Sequence, residues 1–296
     1  MTGTMIPLPR RRPDPVPAVH PLPEYLAEGR VKQRYQDMKA VFQVPWMGVV
    51  TMAYAHYPSF YDSFWEGLRP LFASRPFVAA FQDLRAHTED AVEALAPPPL
   101  VPRLRKLGYA PHELDDIRAM IEVFSHGNFP YLLVATIARL LLEGGEMGGP
   151  SVAPAFEGRH APAAGVPFVL MEAHHADPPS RALYDDIEAT LGLPFVNTDY
   201  RALARWPSYF HRAWTDLKTV VAGDPYEDIV RGVHARAVAA VRGLPNPTGL
   251  TSAVLKNAAE TDASLGEVLE MCRLFQWLLP GLVVNVAYFR RQLLEP

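Results

Sequence analysis

The sequence predicts an all-α fold of two similar helical repeats, each about 130 residues long, packed as a pseudo-dimer and joined by a long linker. Three observations predict it. Residues 31–98 written above residues 180–247, an offset of 149 with no gaps, share 17 identities in 68 positions, roughly three times what chance supplies. The prolines and tryptophans stay in phase: Pro45 with Pro194, Pro58 with Pro207, Trp65 with Trp214, Pro76 with Pro225. Apolar residues recur at helical spacing, while period-2 strands with paired hairpin turns are missing.

Taken in order, residues 1–23 form a Pro-rich leader without an apolar run, which predicts a disordered segment. The first repeat spans residues 24–142. Within it Val31–Phe42 has helical spacing, Pro58-Ser59 suits the first turn of a helix, and Pro76 opens a run ending near Leu95. Residues 111–142 supply one more helical segment. Residues 143–180 contain Gly144-Gly145, Gly148-Gly149-Pro150 and Pro178-Pro179, and read as the linker. The second repeat, residues 181–296, runs through the counterparts Arg181–Leu191, Pro207-Ser208 and a run from Pro225 to near Leu244. In its last segment, 262–294, Ser264-Leu265-Gly266-Glu267 has capping-box spacing ahead of an apolar helix.

Composition excludes several classes of function. A net charge of −4 and a pI near 6.2 give no electrostatic reason to expect nucleic acid or an anionic membrane as partner. The longest apolar segment, Phe275 to Phe289, contains Pro280 and Gly281 and falls short of the ~20 residues of a membrane span. Arg10-Arg11-Arg12 imitates a twin-arginine signal, but prolines stand where its apolar stretch belongs. The single cysteine, Cys272, forms neither an internal disulfide nor a thiolate metal site, so the expected compartment is a reducing cytoplasm. No GxSxG, phosphate-cradling glycine loop or dinucleotide fingerprint is present. Glu172-Ala173-His174-His175 lacks the HExxH order and reads as solvated linker. A nucleotide cofactor therefore has no visible seat, and no metal-ligand motif stands out.

A fused pair of like units makes its pocket at the seam, and one reaction there requires the copies to differ. Gly48-Val49-Val50 of the first repeat lies against Asn197-Thr198-Asp199 of the second, and Asn128 lies against Leu278 or Leu279. Asp199 precedes a short helical run, Tyr200 to Arg205, where the partial positive charge of a helix start favours an ionised carboxylate. Such a group serves as base for a water molecule. Ordinary helix capping is the competing reading of Asn197, Thr198, Asp199 and Asn128, although the matching helix of the first repeat manages with Gly-Val-Val. The Asn128 amide both donates and accepts, which suits it to aim a water. Trp46 and Tyr131 are either core or walls of an apolar pocket.

At these residues the chain resembles the group I 2-haloacid dehalogenases, the DL-type enzymes that accept both enantiomers. The resemblance rests on Val44-Pro45-Trp46, on Gly127-Asn128 followed by Tyr131, and on the stretch Asp199 to Pro207, and it covers about Val31 to Leu293. It implies an all-helical, cofactor-free, dimerising hydrolase that converts short 2-haloalkanoic acids to 2-hydroxy acids and halide. Attack is by water, with inversion and no covalent ester. It implies Asp199 as catalytic base and Asn128 as holder of its water. Trp46, Val49, Tyr131, Asn197 and Thr198 fall at pocket positions, where main-chain N–H groups hold the substrate carboxylate. Departures from the family pattern are Val196-Asn197-Thr198 for Pro-Ala-Ser, Val49 for an aromatic, Phe129-Pro130 for Pro-Lys, and Pro280-Gly281 for an Ala-Asp pair. The alternatives to this expectation are a hydrolase acting on another 2-substituted acid and a non-catalytic helical module that binds a small carboxylate.

Overall fold

Two long apolar helices dictate the arrangement of everything else. The computed structural model describes residues 6–163 and 165–294. In chain order the helices are α1 (Gly29–Phe42), α2 (Val49–Tyr54), α3 (Pro58–Phe72), α4 (Arg75–Ala91), α5 (Val101–Lys106), α6 (Pro111–Leu142), α7 (Pro178–Leu191), α8 (Thr198–Leu203), α9 (Pro207–Lys218), α10 (Asp224–Gly243), α11 (Ser252–Asp262) and α12 (Leu265–Gln292). The architecture is all-α, and among the described residues extended pairing is confined to one bridge, Ser74 with Ala155. Helices α6 and α12 make the most extensive helix–helix contact in the molecule. Each is apolar on every side through its second half, as a helix at the centre of a large core must be.

Both central helices run through an internal proline, Pro130 and Pro280. A lone proline breaks an exposed helix. Here both are buried, and the helix continues past the missing hydrogen bond within the surrounding core. Two expectations change as a result. Asn128 does not cap a helix, because α6 passes through residues 124–128 without a break. The segment Phe275–Phe289 is not cut short at Pro280-Gly281 either: α12 is long and apolar enough to cross a membrane by length and composition, and 83% of its apolar window is buried inside the protein.

The outer helices recur at fixed displacement. Helix α7 starts and ends 149 residues after α1, α8 starts and ends 149 after α2, and α9 and α10 start 149 after α3 and α4. Their ties recur as well. Trp65 Nε1 donates to Asp37 at 3.0 Å and Trp214 Nε1 to Asp186 at 2.8 Å, and the same carboxylates meet Arg69 and Lys218. Tyr35 donates to the Leu22 carbonyl and Tyr184 to the Met171 carbonyl, at 2.9 and 2.8 Å. The repeating unit thus includes Leu22 and Met171, inside the stretches read from sequence as leader and linker. Across the halves, α8 packs on α6 while α2 packs on α12.

The leader departs from the expectation of disorder over residues 6–23; residues 1–5 lie outside the described residues. It has no regular structure, so its carbonyls need outside partners, and side chains of the core helices supply them. Arg139 donates to Pro9 at 2.9 Å, His234 bonds Leu8 at 2.7 Å, and Arg242 donates to Ile6. Leu8 itself is buried. Between α6 and α7 the chain likewise lies on the core: Phe156 N meets the Ala73 carbonyl at 2.8 Å and Glu172 pairs with Arg201 at 2.7 Å, so Glu172 is not merely solvated. Deleting residues 1–23 strips buried donors of their acceptors at a net loss of about 1 kcal/mol each. The expected outcome in calorimetry is a thermal midpoint at least about 3 °C lower. An unchanged midpoint would restore the disordered leader.

Candidate active site

The site begins with where α8 starts. Its first turn carries Thr198 and Asp199, and the packing of α8 on α6 aims the carboxylate at the middle of that central helix. There Asn128 Nδ2 donates to Asp199 Oδ1 at 2.5 Å. Asn128 sits deep inside α6, seventeen residues beyond its start, so the capping reading of this residue is removed. Both side chains are buried, Asp199 at 2% exposure and Asn128 at 4%.

Burial decides the charge on Asp199. A carboxylate taken out of water loses its hydration, which favours the protonated form. The Asn128 bond, the residue's own amide and the Arg201 charge favour the anion and recover part of that loss. The balance leaves the pKa raised from 3.8 to about 6. The helix start therefore does not keep Asp199 strongly acidic, as the sequence reading implied; desolvation outweighs it. A carboxylate with pKa near 6 is ionised at neutral pH yet basic enough to accept a proton from water.

Around this pair lies a cavity of about 30 Å³, room for roughly two waters. Trp46, Val49, Asn128, Tyr131, Asn197, Thr198 and Asp199, the residues singled out from sequence, all line it. The ring of Trp46 stacks on Phe168 (centroids 5.5 Å apart, planes 8° apart) and meets Phe124 edge-on at 4.9 Å. Tyr131 donates its hydroxyl to the Trp46 carbonyl at 2.9 Å, fixing the loop between α1 and α2. Gly127 makes this approach possible: a Cβ there would lie 2.3 Å from Trp46 Cη2 and 2.8 Å from Val44 Cγ1. Val49 and Val50 complete the wall opposite α8.

Asn197 occupies the cap position of α8 without capping it. Its Oδ1 is buried and without a hydrogen-bond partner among the described residues. Thr198 Oγ1 accepts from Arg201 at 3.3 Å. The first-turn amides of α8 have no carbonyl four residues back within the helix to bond, and that of Asp199 meets its own carboxylate instead. Phe195, Phe275, Leu278, Leu279 and Leu282 also form the lining. Phe195 was legible as the repeat partner of Trp46. Phe168 was not, since nothing in the linker sequence marks it. Cys272 is buried, and burial pushes its thiol up to about 12, as suits an inert core residue. Among the described residues no group of three or more His, Cys, Asp or Glu side chains is arranged to hold a metal.

No family model matches the chain. It is 48% identical over 249 residues to an (R)-2-haloacid dehalogenase of Rhizobium sp. (strain NHG3), covering 83% of this chain and 96% of that one. It is 36% identical over 281 residues to an (R)-2-haloacid dehalogenase of Pseudomonas putida, covering 94% and 93%. A configuration-inverting 2-haloacid dehalogenase of Pseudomonas sp. (strain 113) is 25% identical over 232 residues, 76% of this chain and 75% of that one. Among solved structures, a D-2-haloacid dehalogenase in complex with L-LA superimposes with a TM-score of 0.88 at 34% identity, covering 98% and 100% of the two chains. A D-2-haloacid dehalogenase mutant in complex with D-2-CPA gives 0.86 at 33%, covering 97% and 99%.

Two outcomes follow from the geometry. Because the folded pKa of Asp199 exceeds the unfolded one, the stability gained by protonation is full below about pH 4 and lost as pH rises through about 6. Asp199→Asn removes the buried charge, so it should stabilise the fold at pH 7 by roughly 2 kcal/mol, with the gain shrinking to nothing near pH 4. Denaturant titrations at the two pH values measure this, and a mutant less stable at pH 7 would contradict the assignment. Gly127→Ala should displace Trp46 and destabilise by about 1–3 kcal/mol through overpacking, read as a lower midpoint with altered tryptophan fluorescence.

Proposed function

Because the chain belongs to the 2-haloacid dehalogenase family and is a configuration-inverting hydrolase of this type, we propose that it acts on short 2-haloalkanoic acids, with the (R) enantiomer preferred, through a water activated by Asp199. In this reading Asn128 and Asp199 hold the water between them. The water oxygen bonds to C2 on the side opposite the halogen, its proton passes to Asp199, and the halide leaves with the electron pair of the broken bond. The product is the inverted 2-hydroxy acid. The first-turn amides of α8, with Asn197 and Thr198, hold the substrate carboxylate, while Trp46, Val49 and Tyr131 enclose the alkyl group and halogen. Water, base and leaving group account for every bond change, so the reaction as proposed uses no cofactor. A homodimer in the cytoplasm belongs to the same reading, supported by the family resemblance and the single buried thiol.

The observation that carries this proposal is the buried, hydrogen-bonded Asn128–Asp199 pair in a largely apolar cavity, with a carboxylate poised near pH 6. The preference for (R) acids is supported by the names of the two relatives most similar in sequence among those described, and it narrows the DL range that the motifs imply. The test is halide release from separate (R)- and (S)-2-chloropropionate and 2-bromopropionate. Release should be faster from the (R) acids, give (S)-lactate, and fall at least about a hundredfold in Asp199→Asn. The kcat/KM of the wild type should rise with pH through about 6 as Asp199 ionises. In a single turnover in H2¹⁸O the label should enter the lactate rather than the protein. Equal rates for both enantiomers would restore the DL range, label in Asp199 would replace direct attack by an ester intermediate, and turnover only of other 2-substituted acids would change the substrate class.

A further inference from the structure

Behind Asn197, Leu278 and Leu282, which also line the catalytic cavity, lies a second and larger space of about 380 Å³. Its origin is visible in the repeat. A shift of 150 residues places Pro130 on Pro280, Leu142 on Gln292 and therefore Tyr131 on Gly281. In the first repeat the Tyr131 ring fills this position, centred 5.6 Å from Phe42, and it lies so close that a Cβ on Gly48 would come within 2.9 Å of it. In the second repeat the large and small residues are exchanged: Asn197 stands for Gly48, and Gly281 leaves the volume open.

Backbone geometry does not require that glycine. Gly281 lies within a helix and is not among the glycines with positive φ. A Cβ there would come no nearer than 3.4 Å, to Tyr226 Oη, with Arg10 Nη2 next at 4.0 Å. A mid-helix glycine is less favourable than alanine because it loses more backbone freedom on folding. What glycine provides at 281 is the space itself.

The outer end of the space carries positive charge from the N-terminal segment. Arg10 donates to the Trp277 carbonyl at 3.0 Å and to Glu227 at 2.7 Å, and the guanidinium of Arg12 lies 5.6 Å from the Trp277 ring centre. Glu227 is paired with Arg10, while Arg12 lies over the Trp277 ring, so two guanidiniums stand at this end beside one carboxylate and present donors to an incoming anion. A 2-haloalkanoate, its 2-hydroxy acid and the released halide are all anions. The catalytic cavity, about 30 Å³, shares Asn197, Leu278 and Leu282 with this larger space.

We propose that this chamber is the passage between solvent and Asp199. A halocarboxylate is received by Arg10 and Arg12, crosses the chamber beside Gly281 and enters the catalytic cavity past Leu278 and Leu282, and the hydroxy acid leaves the same way. The inference rests on the dehalogenase reading for its ligand, but its test has a readout that does not need turnover.

The decisive variants are Gly281→Phe, which fills the chamber, Gly281→Ala, which fits it, and Arg10→Gln. The readouts are kcat/KM for (R)-2-chloropropionate and the association rate of (S)-lactate, followed by tryptophan fluorescence. Gly281→Phe should lower both about tenfold or more with a smaller effect on kcat, whereas Gly281→Ala should stay within about twofold. Arg10→Gln should lower kcat/KM several-fold and flatten its dependence on salt. A folded Gly281→Phe with wild-type kcat/KM and lactate association overturns the passage. Should Gly281→Phe fail to fold, an Arg10→Gln variant with unchanged kcat/KM and salt dependence overturns it instead. A wild type that binds lactate but releases no halide overturns the dehalogenase reading alone, and slowed lactate association in Gly281→Phe then still supports the passage. A wild type that does neither overturns both.

Discussion

The structure is organised around one unfavourable act, the burial of the Asp199 carboxylate without a cation beside it. Among the described residues lining its cavity none is Lys, Arg or His. A bare ion in such surroundings takes up a proton instead. What keeps Asp199 near pH 6 rather than far higher is the Asn128 amide, the residue's own amide at the start of α8 and the charge of Arg201, which lies outside the cavity. The two amides are dipoles held in place by the packing of α8 on α6. That contact joins the second half of the chain to the central helix of the first, so the electrostatics of the site and the assembly of the two halves are one interaction.

The duplication gives the site its single-sidedness. Matching positions keep the same backbone, as the bounds of α1 and α7 or α2 and α8 demonstrate, while the side chains at the seam diverge. Val50 against Asp199 decides which half provides the carboxylate. Asn128 against Leu278 decides which central helix provides its partner. Gly48 with Tyr131 against Asn197 with Gly281 decides which side is filled by an aromatic ring and which stays open. The last exchange does not conserve volume: the ring of Tyr131 fills one side and the space beside Gly281 stays open on the other.

Much of this was legible before any coordinates. The offset of 149 located four helix pairs, and in two of them, α3 with α9 and α4 with α10, prolines in both first turns mark the helix starts. Asp199 and Asn128 stood out because they break the repeat. The parts that were not legible share a different cause: they are held by contacts distant in sequence. Leu8 and Pro9 are ordered by His234 and Arg139, whose positions no local pattern in the leader encodes. Phe168 reaches Trp46 from a stretch with neither period nor motif. The continuity of α6 through Phe124–Asn128 contradicted local propensity because glycine and proline are helix breakers only when the helix must stand in water.

The same low-dielectric cavity that raises Asp199 also shapes what it can bind. A substrate carboxylate about 5 Å from an ionised Asp199 would feel a repulsion of roughly 3 kcal/mol at an effective dielectric near 20. No side-chain cation lines the cavity to offset it. The offset must come from oriented N–H groups, and the first turn of α8 presents them beside Thr198 while α2 presents the equivalent turn from the other half. In the proposed reaction, repulsion that survives this offset raises the basicity of Asp199 further once substrate is seated, at the step where a proton has to leave water. Charge crowding then weakens binding and strengthens the base together, which favours the transition state over the bound substrate because proton transfer to Asp199 moves its negative charge onto the departing halide.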